Sequence, residues 1–531
     1  MGDAGGLGDR QGRRGVEAAL GHEAHGGLEE LLAPLLGGQA GRRHRGECAL
    51  TSCACQAWGP PSCAARARNR GSGASSRDPP RAHVSRGTAI LPGVSSSPVR
   101  TAGRPVGGVL EEALGAEWAL ALREAVRAFL LSRAVVWIAG LLALAVFGWV
   151  ESRGGRLDPL WACRPSGVGG VDALIAPGCR WDSTWYLEIA QGGYSPTDPS
   201  RSAFFPLYPL LVSVVSAPLG GALVPAGLLL SWTAAIGFLA LLHRVIAHAR
   251  DAATASTVVR VAAYVPPAIF LSAIYTEALF LLLSLGVLVA ARRDRWMLAG
   301  VLGMAAASCR SIGVLLVLPL LVEYLWGRRS GGETRLVARP WHPRHPIRRD
   351  VLWIGLVPLG FVAYGAWLGI ATGDPLGAVA AQGDWERHFL TPVGGLAAGV
   401  WAIVGRLGDY AGAWTVAPLV EGQSTGLTLT RDTILLLCVL AATSALWWAR
   451  RRVPVSWLAW GAISLAYPLS VPSVQQPLMS LPRFSLACFP IVVAIGLWAH
   501  ARRGRMRWLA PTLLTLQAAW AISFVSWTWA P

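Results

Sequence analysis

Four ionisable residues stand out in a chain that is mostly apolar. Asp182 lies in Arg180-Trp181-Asp182-Ser183-Thr184-Trp185-Tyr186, and Glu277 in Tyr275-Thr276-Glu277-Ala278. Arg310 lies in Ser308-Cys309-Arg310-Ser311, and Arg483 in Leu481-Pro482-Arg483-Phe484. Each sits beside an apolar run, where an ionisable group is costly and is a functional candidate by default. Two carboxylates and two guanidinium groups at one membrane face suit transfer of a sugar from a lipid phosphate. A carboxylate takes the proton of an acceptor hydroxyl. Arginine holds a phosphate by bidentate contact and stabilises its growing charge. Phosphate already leaves well, so a dedicated acid is not required, in contrast to glycoside hydrolysis. Trp181, next to the acid, is read as a substrate-binding neighbour. Two plainer readings stay open: Asp182 as a helix cap ahead of an apolar face of Trp185, Tyr186 and Ile189, and the four charges as a structural ion-pair network.

The elements that must position these residues follow from composition. Of 531 residues, 53% are hydrophobic and 15% charged, where soluble domains carry about 25% charged. Several apolar stretches approach the roughly 20 residues that cross a bilayer. The expectation is an all-α polytopic membrane protein. All 47 basic residues are Arg, against 30 acidic ones. In a membrane protein such an excess belongs to cytoplasmic loops, so no nucleic-acid partner is expected.

Spans are expected near 132–150, 222–242, 257–273, 276–291, 296–310, 311–326, 351–370, 431–449, 455–471, 484–499 and 508–527, about 11 in all. The pair 296–326 is short enough to form a hairpin buried among other helices. With this count, Arg123, Arg127 and Arg133 before the first span fall on one side with Arg244, Arg250, Arg292, Arg293, Arg295, the arginines of 327–350, Arg450 to Arg452 and Arg502 to Arg507. By the positive-inside rule that side is the cytoplasm. The other side receives the loops 151–221, 371–430 and 472–483, and with them all four site residues. Ala203–Leu219, apolar but holding Pro206, Pro209 and Pro218, is expected to lie at the interface or re-enter it. Of ten His, only His388 falls on the outer side, so no His-built metal centre is expected there; metal held by carboxylates stays open. Cys163 and Cys179, in the first outer loop, are either a disulfide or two thiols.

Residues 1–105 are rich in Gly, Arg, Ser and Pro and show no sustained apolar period. A segment of that kind does not bury enough surface to offset its ordering entropy, and disorder is expected. Its Cys48, Cys53, Cys55 and Cys63 read as incidental rather than as a zinc site. The first 20 residues lack an apolar core, so no signal peptide is expected. A true start nearer residue 106, at a codon other than Met, is one of two open readings.

Arg180-Trp181-Asp182, Trp185-Tyr186, Ile189-Ala190, Gly193-Tyr194 and Ala203-Phe204-Phe205-Pro206-Leu207-Tyr208-Pro209 together resemble the bacterial members of the PIG-V mannosyltransferase family. The likeness continues through Tyr275-Thr276-Glu277, Arg310-Ser311-Ile312-Gly313, Gly373-Asp374-Pro375-Leu376, Ala381-Gln382 and Pro482-Arg483-Phe484, over roughly 125–531. Ile312 stands where the pattern expects Asn, and Phe484 where Tyr is common. The resemblance implies a GT-C type bundle over 106–531, with interfacial helices in the first extracytoplasmic loop. It implies an inverting glycosyltransferase that uses a polyprenyl-phosphate sugar, most naturally mannose, with no cofactor. Asp182 would be the catalytic carboxylate, and Glu277, Arg310 and Arg483 match recurring positions. The partners implied are that lipid-linked donor, an acceptor that is a glycolipid, glycan or protein, and the bilayer. The location implied is the cell membrane, with the active site on the extracytoplasmic side. The competing class is a transporter or flippase of a polyprenyl lipid, which would more often show internal repeats and broken helices at the midplane.

Overall fold

The computed structural model describes residues 106–148, 163, 169–327, 342–416, 421–474, 476–479, 481–486, 488–502 and 504–526. The expectations for the tail 1–105 lie outside the described residues. Among the described residues the architecture is all-helical. The order is α1 (Val106–Phe147), α2 (Gly169–Ile175), α3 (Ser183–Gly192), α4 (Leu207–Ser216), α5 (Leu223–Ala249), α6 (Ala252–Tyr264), α7 (Glu277–Arg292), α8 (Trp296–Cys309) and α9 (Val317–Trp326). There follow α10 (Leu356–Thr372), α11 (Gly377–Ala380), α12 (Pro392–Val416), α13 (Glu421–Ala449), α14 (Val455–Ser470), α15 (Leu481–Leu486), α16 (Phe489–His500) and α17 (Arg505–Val525).

Five helical stretches are long and apolar enough to cross a membrane: Gly115–Phe147, Leu223–Ala249, Arg349–Thr372, Leu429–Ala449 and Arg505–Val525. Their outer faces carry large apolar side chains in the open, among them Ile138, Leu142, Val362, Ile370 and Leu437. Apolar surface on that scale marks contact with lipid. Between these stretches stand shorter apolar helices, and the interior is built by close approach of small residues. Gly303 and Gly360 let α8 and α10 touch, and Gly300 lets α8 meet the 3-10 segment Arg349–Gly355 ahead of α10: a Cβ at Gly300 would strike the Trp353 carbonyl, and one at Gly360 the Met304 carbonyl. Backbones pack this closely where Gly and Ala form the interface.

Four expectations need correction. The span 257–273 is not one helix. Pro266 and Pro267 bring no N–H to continue α6, and the chain turns into a 3-10 segment, Pro266–Leu271. The carbonyls released there are satisfied from two neighbours. Gln517 Nε2 donates to the Ala263 and Val265 carbonyls at 3.0 and 3.2 Å. Arg133 donates to the Ala268 carbonyl at 2.7 Å and the Ser272 hydroxyl at 2.6 Å. Arg133 is therefore no cytoplasmic surface charge: it lies inside α1, 4% exposed. The span 484–499 is divided at Cys488 into α15 and α16, so that Arg483 sits on a separate short helix. Finally, the region 371–430 is largely helix, in α11, α12 and the start of α13.

The described part of the first long loop also has definite form. Cys163 and Cys179 form a disulfide just ahead of Arg180 and α3. It closes a loop of 16 positions, a size for which chain-entropy arguments give about 3 kcal/mol. We expect Cys163→Ser/Cys179→Ser to lose about that much stability in thermal or denaturant melts of the purified protein. Equal melting of mutant and wild type, both in the absence of reductant, would remove this role. Within Ala203–Leu219 the helix is α4, Leu207–Ser216, with one 3-10 turn after it, well under the length of a crossing.

Candidate active site

Asp182, Glu277, Arg310 and Arg483 come together, although they span three hundred positions of sequence. Arg483 is the hinge of the cluster. Its Nε donates to Glu277 Oε1 at 2.5 Å, and its Nη1 donates to Asp182 Oδ2. Glu277 Oε1 also accepts from Arg310 Nη1 at 2.6 Å. Arg310 Nη1 reaches the Thr276 hydroxyl at 2.9 Å as well. Two negative and two positive side chains thus form one chain of contacts, Asp182 to Arg483 to Glu277 to Arg310.

Local chain geometry explains the convergence. Glu277 opens α7, and Arg310 ends α8 in extended backbone. α7 and α8 are antiparallel neighbours, so the start of one meets the end of the other. Trp181 adopts φ 57°, a left-handed conformation unusual for a large side chain. That turn aims the Asp182 amide at the Tyr275 hydroxyl, 3.1 Å away, and the same hydroxyl donates to the Arg180 carbonyl at 3.1 Å. Asp182 occupies the cap position of α3, but its carboxylate takes no hydrogen bond from that helix. The cap reading is corrected: the carboxylate turns to the Arg483 guanidinium, whose full positive charge attracts it more than the partial charge of a backbone N–H does. Trp185, Tyr186 and Ile189 are buried, as an inward apolar face requires.

Exposure separates the two acids. The Glu277 side chain is fully buried and that of Asp182 is 29% exposed. Asp182 is the carboxylate that a molecule from outside reaches. The tyrosines around it are aromatic walls: the Arg483 guanidinium lies 4.6 Å from the centre of the Tyr275 ring. Burial holds the Tyr186 phenol well above its ordinary value, so it stays neutral, 3.4 Å from the Thr276 hydroxyl. Trp181 is half-buried, and its indole N–H donates to the Phe524 carbonyl at the end of α17, at 3.1 Å. That bond ties the site to the last helix. Among the described residues, no three His, Cys, Asp or Glu side chains gather as a metal centre would require.

The site and the arginine clusters occupy opposite ends of the bundle. Arg250, after α5, donates to the Arg452 carbonyl, after α13. Arg292, ending α7, meets Glu323 of α9 at 3.4 Å, and Glu323 also takes a hydrogen bond from Ser456 at the start of α14. Since α7 starts at Glu277 and ends at Arg292, its two ends mark the two poles.

Residues 123–324 match the family model of the PIG-V mannosyltransferases. No curated protein matches the chain. The PIG-V match implies a membrane mannosyltransferase, which agrees with the apolar helices. It contains Asp182, Glu277 and Arg310. The likeness read over 125–531 extends beyond it: Arg483 and the pieces at 373–382 and 482–484 lie past the matched PIG-V region. Sequence reasoning misses two members of the site. Tyr275 and Thr276 are in view only as neighbours of Glu277, with nothing in their type to show that they hydrogen-bond across the cluster.

Proposed function

We propose that the protein is an inverting mannosyltransferase, moving mannose from a polyprenyl-phosphate donor to an acceptor hydroxyl at the extracytoplasmic face. The observation that carries this reading is the division of labour between the acids. Asp182 is reachable and oriented by Arg483, while Glu277 is sealed between two guanidinium groups. Asp182 takes the proton of the acceptor hydroxyl as its oxygen attacks the anomeric carbon. The bond from that carbon to the phosphate oxygen breaks, and the polyprenyl phosphate leaves with the electron pair. One base and one displacement invert the anomeric centre. Retention through a glycosyl-enzyme intermediate would need a second reachable carboxylate as nucleophile, and Glu277 is not reachable.

The guanidinium groups keep capacity for the leaving phosphate. Arg483 engages Nε and Nη1, and Arg310 engages Nη1, which leaves planar N–H donors suited to phosphate oxygens. Trp181 stands next to Asp182 and is half-buried. The outer location rests on the positive-inside rule, since the arginine clusters mark the pole away from the site. A disulfide ahead of α3 agrees with an oxidising compartment. A transporter would need its charged groups strung along a path through the bundle, whereas this cluster is closed upon itself at one end.

The test is mannose transfer by the purified protein from labelled polyprenyl-phosphate-mannose to a membrane lipid extract, with GDP-mannose as the control donor. Transfer from the lipid donor alone is expected. Transfer from GDP-mannose alone would end the reading. In the same assay Arg483→Lys is expected to raise the donor KM about tenfold with a smaller effect on the acceptor KM, because Lys lacks the planar fork. Equal effects on both would remove Arg483 from the phosphate.

A further inference from the structure

A fifth charge borders the cluster, and it differs from the other four in having no counter-ion. Arg387 lies between α11 and α12. Its backbone is fixed by a ribbon of hydrogen bonds to the segment after α14. Val474 N donates to the Glu386 carbonyl at 3.1 Å, His388 N to the Pro472 carbonyl at 3.2 Å, and Leu390 N to the Ser470 carbonyl at 2.8 Å. Arg387 itself forms an isolated bridge with Ser473. The ribbon directs its side chain to Phe484, with the guanidinium carbon 5.4 Å from the ring centre. Arg310 lies 5.4 Å from the centre of the same ring. Phe484 is thus the shared wall between the ion-pair cluster and Arg387.

The charge balance is the decisive point. Asp182 and Glu277 neutralise Arg310 and Arg483, so the cluster sums to zero. Among the described residues no carboxylate lies within ion-pair distance of Arg387, and its guanidinium makes no hydrogen bond. Asp384, three residues earlier in the chain, takes the Ser200 hydroxyl. Burial disfavours the Arg387 charge; Tyr467 and Asp182 favour it, and Arg483 and Arg310 oppose it. A half-buried cation left in that state is a seat for an anion. Phosphate fits it best: the planar guanidinium fork offers paired N–H donors that match two phosphate oxygens.

We propose that Arg387 is the primary anchor of the donor's phosphate, and that Arg310 and Arg483 contribute to it only through the donors their carboxylates leave unused. This deepens the mannosyltransferase reading and rests on it for the identity of the ligand as a lipid phosphodiester. The anion that Arg387 binds is the group that leaves, so its charge grows during the reaction. Arg387 therefore acts on donor binding and on the leaving group, and not on the acceptor.

The experiment separates the two claims. Binding of citronellyl phosphate, a short polyprenyl phosphate, is measured by tryptophan fluorescence in full-length protein in detergent, beside citronellol, which lacks the phosphate. Wild type is expected to bind the phosphate and to discriminate strongly against the alcohol. Arg387→Gln is expected to weaken phosphate binding about 10- to 100-fold, the range of a charged hydrogen bond, and Arg387→Lys to restore part of it. Both variants are compared at equal melting temperature, and acceptor KM is expected to stay at the wild-type value while donor KM rises. Unchanged phosphate binding in Arg387→Gln, or no preference for the phosphate in wild type, would overturn the inference. Arg387-dependent phosphate binding without any sugar transfer would uphold the anion seat and overturn the transferase reading.

Discussion

Asp182→Asn is expected to lower mannose transfer about 10²- to 10⁴-fold, the usual worth of a general base, with the protein still folded and inserted. The substitution keeps the size of the side chain and its hydrogen-bonding oxygen, so Arg483 retains one contact at Asp182 and its full bond to Glu277. What disappears is the capacity to accept a proton. A structural collapse does not imitate this result, because Asp182 is partly exposed and the buried charge network persists through Glu277. The measurement is the single-turnover rate with labelled polyprenyl-phosphate-mannose, with melting temperature and donor affinity determined on the same preparation. A mutant that turns over within a few-fold of wild type would remove Asp182 from the chemistry and leave Arg483 and Asp182 as a surface ion pair.

Glu277→Gln is expected to act in the opposite way, on the fold before the reaction. Glu277 is fully buried and receives both Arg310 and Arg483 on one carboxylate oxygen. Removing one member of a buried ionic group leaves an uncompensated charge and costs about 3 to 5 kcal/mol. The expected sign is a clear drop in melting temperature, with activity lost because Arg483 no longer holds Asp182 in place. Glu277→Gln/Arg310→Gln removes one charge of each sign and is expected to be less destabilised than the sum of the single variants, as coupling between neighbours requires. Strict additivity, or wild-type stability in Glu277→Gln, would show that the two guanidinium groups do not depend on this carboxylate.

The parts of this molecule visible in its sequence are those that depend on solvent. Long apolar runs such as 222–242 and 431–449 are legible because lipid demands them over a whole helix, and α5 and α13 cover them. Asp182, Glu277, Arg310 and Arg483 are legible because a charge beside an apolar run is rare enough to be noticed. What hides is pairing across the bundle. Arg133 counts as one more basic residue ahead of a span, and only the Pro266-Pro267 break, with its released carbonyls, shows why it lies buried in α1. The division at Cys488 hides in a run apolar enough to read as one helix. Arg387 hides most completely. Its importance is the lack of a counter-ion, and a missing contact has no signature along a chain.

The clasp of Arg133 has a consequence for biogenesis. The helix that carries it leaves the ribosome long before its partners, since Ala268 follows 135 residues later. Until that segment arrives, the first membrane helix holds a bare cation near its middle, a burden of about 2.5 to 3.5 kcal/mol for translocon insertion. The first helix is therefore not a finished membrane anchor when it is made. It becomes one only when the broken stretch after α6 docks on it, so that early assembly proceeds by joint settlement of α1 with that stretch rather than by one helix at a time.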